Sequence, residues 1–302
     1  MKSFLREIRR ILRFCVGWLL LPFYRVKPFV IVMVDGGLGS TIWKYCVGKA
    51  IEKYSGAKVK FDLSWFASHG KDMDGVHSRN FDLLRVFPGL EFPVASEKEI
   101  SFYKKYFHYA NPLPYKYNDV VRTCHAPLYI DGYFENWKYL DLVTPEIRTW
   151  FDFSHIEIDS RNQSVLSDIA GHEASVCVHV RRGDYVNTGL DILGFQYYLS
   201  AIELIQDRLA PLKPKFFFFS NDPDWVESQI VSKMDKSLDC VLVKNNGNDS
   251  GFVDLMLISK GKHQIAANSS FGFLGGYLNG NPDKIVVIPD AWLANGKDTT
   301  VL

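Results

Sequence analysis

The stretch VCVHVRRGDYV, residues 176–186, decides the fold. Alternating β-branched residues stop at two arginines, a glycine and an aspartate. A run of this kind is a strand buried on both faces of a parallel sheet. Its charged end marks the edge where an open α/β sheet binds its ligand, beyond the carboxyl ends of the strands.

Other runs repeat the pattern. PFVIVMVDGG (28–37), KFFFFSND (215–222), HQIAANSS (263–270) and KIVVIPD (284–290) read as strands. Helical segments are expected at 40–55, 195–209, 251–261 and 271–278. Strand and helix alternate, which predicts an α/β fold with parallel sheets. The stretch 65–127 is irregular and its elements are left open. A polar segment at 155–172 predicts a boundary, giving an N-terminal lobe over 29–160 and a C-terminal lobe over 161–302.

Each strand end carries polar residues. The first runs into Asp35-Gly36-Gly37-Leu38-Gly39-Ser40, and the 176–180 strand into Arg181-Arg182-Gly183-Asp184. The third runs into Ser220-Asn221-Asp222, the fourth into Asn268-Ser269-Ser270. Guanidinium groups match phosphate oxygens and stay charged at any working pH. Ser269 and Ser270 open a helix whose free N–H groups favour phosphate. Asp254 is placed to accept two N–H donors from a guanine-like edge. Together these residues describe a site for a nucleoside diphosphate.

Composition narrows the classes. The chain has 302 residues, 47% hydrophobic and 23% charged, with a net charge of +1. That fits a globular protein with a full core and excludes a general polyanion binder. Aromatics at 15% serve either the core or sugar-facing surfaces. The five cysteines at 15, 46, 124, 177 and 240 are scattered, with no zinc spacing, and read as reduced thiols. Asp72-Met73-Asp74 and Asp222-Pro223-Asp224 offer metal-binding pairs, but neither directly ends a buried strand, so no metal is expected. Arg182-Gly183-Asp184 as an integrin-type tripeptide is set aside, since nothing looks like an extracellular loop. GGLG lacks the third glycine of a dinucleotide fingerprint, which argues against an oxidoreductase. Residues 1–28 carry Lys2, Arg6, Arg9, Arg10 and Arg13, with Phe4, Ile8, Ile11, Leu12 and Cys15 at helical spacing. They predict a basic amphipathic helix lying on an anionic membrane surface rather than spanning it.

Taken in order, GGLGSTIWKYCVGKA, DGYFENWKYL, HVRRGDYV, SNDPDW, DLMLISKGKHQIAANSSFGFLGGYL and VVIPDAW resemble the bacterial α-1,2-fucosyltransferases of glycosyltransferase family 11. They are similar, more loosely, to α-1,6- and protein O-fucosyltransferases. The resemblance covers roughly residues 30 to 295. It implies a GT-B-like fold of two Rossmann-type lobes with a cleft between them. It also implies an inverting, metal-independent transfer of L-fucose from GDP-fucose, without cofactor, to a galactoside hydroxyl of a cell-surface glycan or its lipid-linked precursor. In that setting Arg181 would hold the donor phosphates with Arg182 in support. His179, Ser220, Asp222, Asp254, Asn268, Ser269 and Ser270 would line the donor pocket. Asp184 would orient the arginines, and Gly36, Gly37, Gly39 and Ser40 would face the acceptor. Asp191 is the candidate general base, unless the departing phosphate takes the proton itself. The family's usual Asn-Gln after GGLG is Ser40-Thr41 here, its Gln in the GYF segment is Glu135, and its tryptophan pair after NSSF is Gly272-Phe273. Rival readings are a transferase of another GDP-sugar, or an inactive membrane-docked glycan- or nucleotide-binding protein. The expected location is cytoplasmic, peripheral on the inner face of the cytoplasmic membrane, with no nucleic-acid partner.

Overall fold

The computed structural model describes residues 2–24, 26–68, 70–71, 75, 78–112 and 116–293. These divide into two compact units. The first holds the described residues up to Lys71 and Arg79–Ile147, and the second holds Gly75, Ser78 and the described residues from Arg148 onward.

The first unit carries β1 (Val30–Met33), β2 (Val59–Asp62), β3 (His108–Ala110) and β4 (Leu128–Asp131), all parallel, in the order β2-β1-β4-β3. Val30, Ile31 and Val32 are fully buried, as a strand covered on both faces requires. The helix Leu38–Ser55 follows β1 and ends on Gly56 in the left-handed conformation that glycine adopts without cost. The irregular stretch resolves into short elements and one longer helix, Glu97–Tyr106. That helix is closed by a capping box in which the Ser96 side chain accepts from the Glu99 N–H and the Glu99 carboxylate from the Ser96 N–H. Aromatic residues pack among themselves here. The Phe61 and Phe92 rings stack at 4.1 Å, and Tyr45 and Phe81 join them. A second cluster gathers Phe29, Ile31, Phe102, Tyr103, Phe107 and Tyr129. Much of the aromatic content of this unit is core.

The helix Lys2–Tyr24 lies on that second cluster. Leu21 is buried, and Phe14 meets Phe107 edge-on at 5.3 Å. Gly17 permits the approach, since a Cβ there would stand 2.6 Å from the Phe107 ring. The opposite side of the helix is exposed and apolar.

The second unit carries β5 (Ser175–Val180), β6 (Lys215–Ser220), β7 (Asp239–Val243), β8 (His263–Ile265) and β9 (Val286–Val287). They form one parallel sheet in the order β7-β6-β5-β8-β9. Its core packs Val176, Val178, Phe216 and Phe218 against Tyr198, Ile202 and Ile205 of the helix Phe195–Leu209. Each unit is a Rossmann-type α/β fold built on a parallel sheet.

The chain divides at 147/148 rather than at 160/161. Arg148 donates to the Asn279 carbonyl at 3.3 Å, and Phe151 and Phe153 are buried beside Ser259–Lys262. These contacts bind the 148–153 segment to the second unit. The polar stretch is itself the helix Ser160–Gly171, N-capped by Asp159. All five cysteines are free thiols, with Cys46, Cys124 and Cys177 buried.

Candidate active site

In the second unit the chain leaves β5 toward β6 and β7 on one side, then returns to build β8 and β9 on the other. The order reverses between β5 and β8, and ligands of open α/β sheets bind at such a reversal. The residues beyond Val180 and Ile265 therefore occupy the position where a ligand is expected.

The turn after β5 is built around Gly183, whose φ is +38° and whose Cβ position is filled by the Asn221 side chain. Asn221 straps the turn. Its Oδ1 accepts the Arg182 N–H at 2.9 Å, and its Nδ2 donates to Asp184 Oδ1 at 3.3 Å. Arg181 Nη2 stands 2.6 and 2.7 Å from the two Asp184 oxygens, while its guanidinium lies 5.3 Å over the Tyr185 ring. The Arg181 Nε is buried and has no hydrogen-bond partner. Arg182 pairs with Asp191 at 3.2 Å and Asp222 at 3.5 Å, and its guanidinium lies 4.4 Å from the Trp225 ring centre. Asp222 also caps the helix Pro223–Gln229 by accepting from the Trp225 N–H, and Ser220 Oγ accepts from the Asp222 N–H. Arg181, Arg182, Asp184, Asp191 and Asp222 thus form a network held together by Asn221. Asp191 takes the Arg182 guanidinium within it.

His179 is buried at the end of β5. Burial and the Arg181 charge push its pKa down to about 3, so the ring is neutral at working pH. Its Nδ1 is buried without a partner. A Cβ at Gly272 would stand 2.5 Å from that nitrogen, so the glycine is what lets the helix Ser270–Leu278 approach. Ser269 is its N-cap residue in extended conformation, with no side-chain cap bond, and Ser270 is its first residue. Asn268 is buried and tied to the chain, donating at 2.9 Å to the carbonyls of both Leu190 and Trp292. Its own carbonyl accepts from Tyr185 Oη at 3.3 Å.

Asp254 belongs to a separate cluster beyond β7, in the first turn of the helix Gly251–Lys260. It accepts from Asn246 Nδ2 at 2.7 Å, and Asn246 pairs in turn with Asn162. Burial pushes its pKa up to about 7.

The first unit reverses its strand order between β1 and β4. Beyond β1, Gly36 has φ +76°, Gly37 caps the helix Leu38–Ser55, and Gly39 is buried in its first turn. Ser40 Oγ donates to Glu135 Oε1 at 3.3 Å. Lys44 Nζ lies 3.5 Å from Asp35 Oδ1 and donates to the Gly132 carbonyl. The Glu135 carboxyl is pushed up to about 7 by burial, against the opposing pull of Lys44 and Ser40.

Sequence reasoning named Asp35 and Asn221 only as strand-end residues and Glu135 only as a departure from the family pattern, and it did not single out Asn246 or Lys44. One signal was present: Lys44 is a lone charge in the apolar run TIWKYCV. Of the aspartate pairs, Asp72-Met73-Asp74 lies outside the described residues. Asp224 is exposed and paired with Lys244 at 3.6 Å. Among the described residues no group of three or more His, Cys, Asp or Glu is arranged to hold a metal ion.

Residues 98–299, more than half of the chain, match glycosyl transferase family 11. The chain belongs to this family. It is 27% identical over 278 residues to an alpha-1,2-colitosyltransferase of Escherichia coli, covering 87% of this chain and 92% of that protein. It is 24% identical over 303 residues to the O-antigen biosynthesis glycosyltransferase WbnK of Escherichia coli, covering 86% and 94%. A galactoside 2-alpha-L-fucosyltransferase of Caenorhabditis elegans is 27% identical over 172 residues, covering 52% of this chain and 44% of that protein. The family 11 match takes in the arginine turn, the Asp254 helix and the Ser269–Ser270 helix start.

Proposed function

We propose that this family 11 protein is an inverting glycosyltransferase that moves L-fucose from GDP-fucose to a galactose hydroxyl, forming an α-1,2 linkage. The acceptor is a cell-surface glycan or its lipid-linked precursor. The observation that carries this is the arginine turn at the β5–β8 reversal. There, three carboxylates and Asn221 fix two guanidinium groups before any ligand arrives.

In the proposed step the acceptor oxygen bonds to the anomeric carbon as the bond to the diphosphate breaks. Charge builds on the departing phosphate. A fixed cation at that point helps more in the transition state than in the ground state. Arg181 supplies it, held by Asp184 and with an unpartnered Nε–H. His179, neutral at working pH, serves as pocket wall. Asp254 receives the guanine N–H groups. Arginine carries the charge on the leaving group, so transfer is expected to persist in EDTA.

A second donor is favoured by one observation: an alpha-1,2-colitosyltransferase is among the relatives, and it aligns over most of both chains. Colitose is L-fucose without its 3-hydroxyl, so the same site chemistry would serve GDP-colitose.

In this reading the helix Lys2–Tyr24 docks on the inner face of the cytoplasmic membrane, where a lipid-linked acceptor would be met. Ile11, Leu12, Trp18, Leu19 and Phe23 point away from the domain, flanked by Arg9 and Arg13. Among the described residues no helix is long and apolar enough to cross a bilayer.

The test is transfer by purified protein, in EDTA, from GDP-fucose and GDP-colitose to β-galactosides, with linkage analysis of the product. An α-1,2-fucosylated product is expected. R181A should lower turnover on the order of 10²–10³-fold, the cost of losing one positioned charge-stabilising donor. Folded R181A with full turnover would overturn the assignment. Absence of both GDP binding and turnover in the native chain would return the inactive-binder reading.

A further inference from the structure

We infer that Glu135 is the general base that takes the proton of the acceptor hydroxyl, and that Asp35 beside it accepts a second hydroxyl of the same sugar. The inference rests on the transfer reading above and assigns it a proton acceptor.

Topology places the pair. The strand order of the first unit reverses between β1 and β4, and both carboxylates lie beyond those two strands. Asp35 follows β1 and precedes the Gly36–Gly37 turn, while Glu135 follows β4 and Gly132. This is the position in a parallel sheet where ligands enter. Two glycines in a row at the turn leave it without side chains.

The hydrogen bonding is incomplete in a way that suits a polyol. Asp35 is buried, its Oδ1 has no hydrogen-bond partner, and its ion pair to Lys44 is a long 3.5 Å. Glu135 is buried, and among the described residues its hydrogen-bond donor is the Ser40 hydroxyl at 3.3 Å. Buried acceptors left without donors are costly. A sugar presents several hydroxyl donors close together and would satisfy both carboxylates at once. A purely structural cluster would be expected to satisfy its own oxygens.

The chemistry also fits. Lys44 and Asp35 face Glu135 from the helix Leu38–Ser55 and the end of β1, and Tyr133 from its own segment. Burial outweighs Lys44 and leaves the carboxyl titrating at about 7, where a base works best at neutral pH. The acceptor O–H bond breaks as its oxygen bonds to the anomeric carbon. The electron pair of the anomeric bond leaves with the diphosphate. The proton rests on Glu135 and passes to water after product release.

The test is E135Q, assayed for transfer to a β-galactoside, for GDP-fucose hydrolysis and for GDP affinity, across pH 5.5–8.5. Transfer kcat should fall by roughly 10²–10⁴-fold, with acceptor KM little changed. The acidic limb near pH 7 should vanish, while GDP affinity is retained. A kcat and limb equal to the native chain's would overturn the role of Glu135 while leaving the donor site standing. Native protein that neither binds GDP nor hydrolyses GDP-fucose would instead overturn the transfer reading. S40A gives a second measurement, and carries the test alone if E135Q does not fold. The Ser40 hydroxyl favours the charged carboxylate, so its removal should move the acidic limb to higher pH. A limb that stays in place would count against the proposal.

Discussion

At the residue scale, the two units each hold a carboxyl group displaced toward neutrality, and the causes differ. Glu135 is buried within reach of a lysine and a hydroxyl, whereas Asp254 is half-buried with an asparagine amide as its donor. Among the described residues Asp254 has no cation to stabilise its charge, so incoming N–H donors should do so. If guanine supplies them, Asp254 ionises on binding and a fraction of a proton is released at pH 7. Calorimetric titration with GDP at pH 7, in buffers of different ionisation enthalpy, should show that release. At pH 8.5, where the carboxylate is already formed, it should disappear. D254N should abolish the release and weaken GDP by about tenfold or more, the cost of about 1.4 kcal/mol or more. Equal proton release in D254N would show that another group titrates and would remove Asp254 from the base-binding role. Ser40 and Glu135 hydrogen-bond to each other. A glutamine at 135 would keep a contact with Ser40 but could not take a proton.

At the element scale, the N-terminal helix has two faces with different tasks. Gly17 and Leu21 press on the Phe107 cluster, while Leu19 and Phe23 are 72% and 83% exposed. A helix held on its domain by a narrow seam, with large apolar side chains outward and arginines alongside, is suited to the headgroup boundary of an anionic bilayer. The native chain should float with vesicles of phosphatidylglycerol and phosphatidylcholine, and less with phosphatidylcholine alone. L19E/F23E should weaken that binding at least about tenfold, since each side chain loses roughly 1.5–3 kcal/mol of apolar burial. Both residues are exposed, so hydrolysis of GDP-fucose in free solution should not change. Unaltered flotation of the double variant would dismiss the helix as the docking element. The other elements differ in how far sequence announces them. Strands β5 and β6 were legible because burial on both faces demands unbroken apolar runs. Helices such as Leu83–Val86 and Val120–Thr123 were not, because four residues cannot display a helical period. The Ser96–Glu99 capping box was a readable start signal for Glu97–Tyr106 that the surrounding aromatic residues obscured.

At the scale of the whole molecule, the alternation of strands and helices announced an α/β fold with parallel sheets, and the arginine turn was readable as a strand end. The Ser40–Glu135 contact was not, because it joins residues 95 apart through the adjacency of β1 and β4. Motifs name what one strand end offers, whereas sheet order decides which ends meet. Burial of titratable groups in both units also gives the molecule a pH signature. Glu135 and Asp254 keep their protons up to about pH 7 when folded, against ordinary values of 4.5 and 3.8. Their contribution to stability is full below those ordinary values and is lost as the pH rises through 7. His179 opposes them. Its ordinary value of 6.5 falls to about 3 on folding, so its contribution is full above 6.5 and is lost as the pH falls through 3. Asp62 and Glu99, held below their usual range, are ionised in both states above about pH 5.5 and drop out of the balance there. His263, also pushed below 6.5 by burial, opposes them too, so the folded chain binds more protons than the unfolded chain between about pH 6.5 and 7.5, where unfolded histidines are mostly neutral. Thermal stability should therefore fall as pH rises over that window, by about 1.4 kcal/mol per pH unit for each net proton. E135Q and D254N should each flatten the fall, and saturating GDP should flatten it further in the native chain by stabilising the Asp254 carboxylate. Melting curves at quarter-unit steps from pH 6.5 to 7.5 measure this directly. A Tm that climbs over that range, or slopes in both variants equal to the native one, would mean these two carboxyls ionise freely and are open to water rather than held for a substrate.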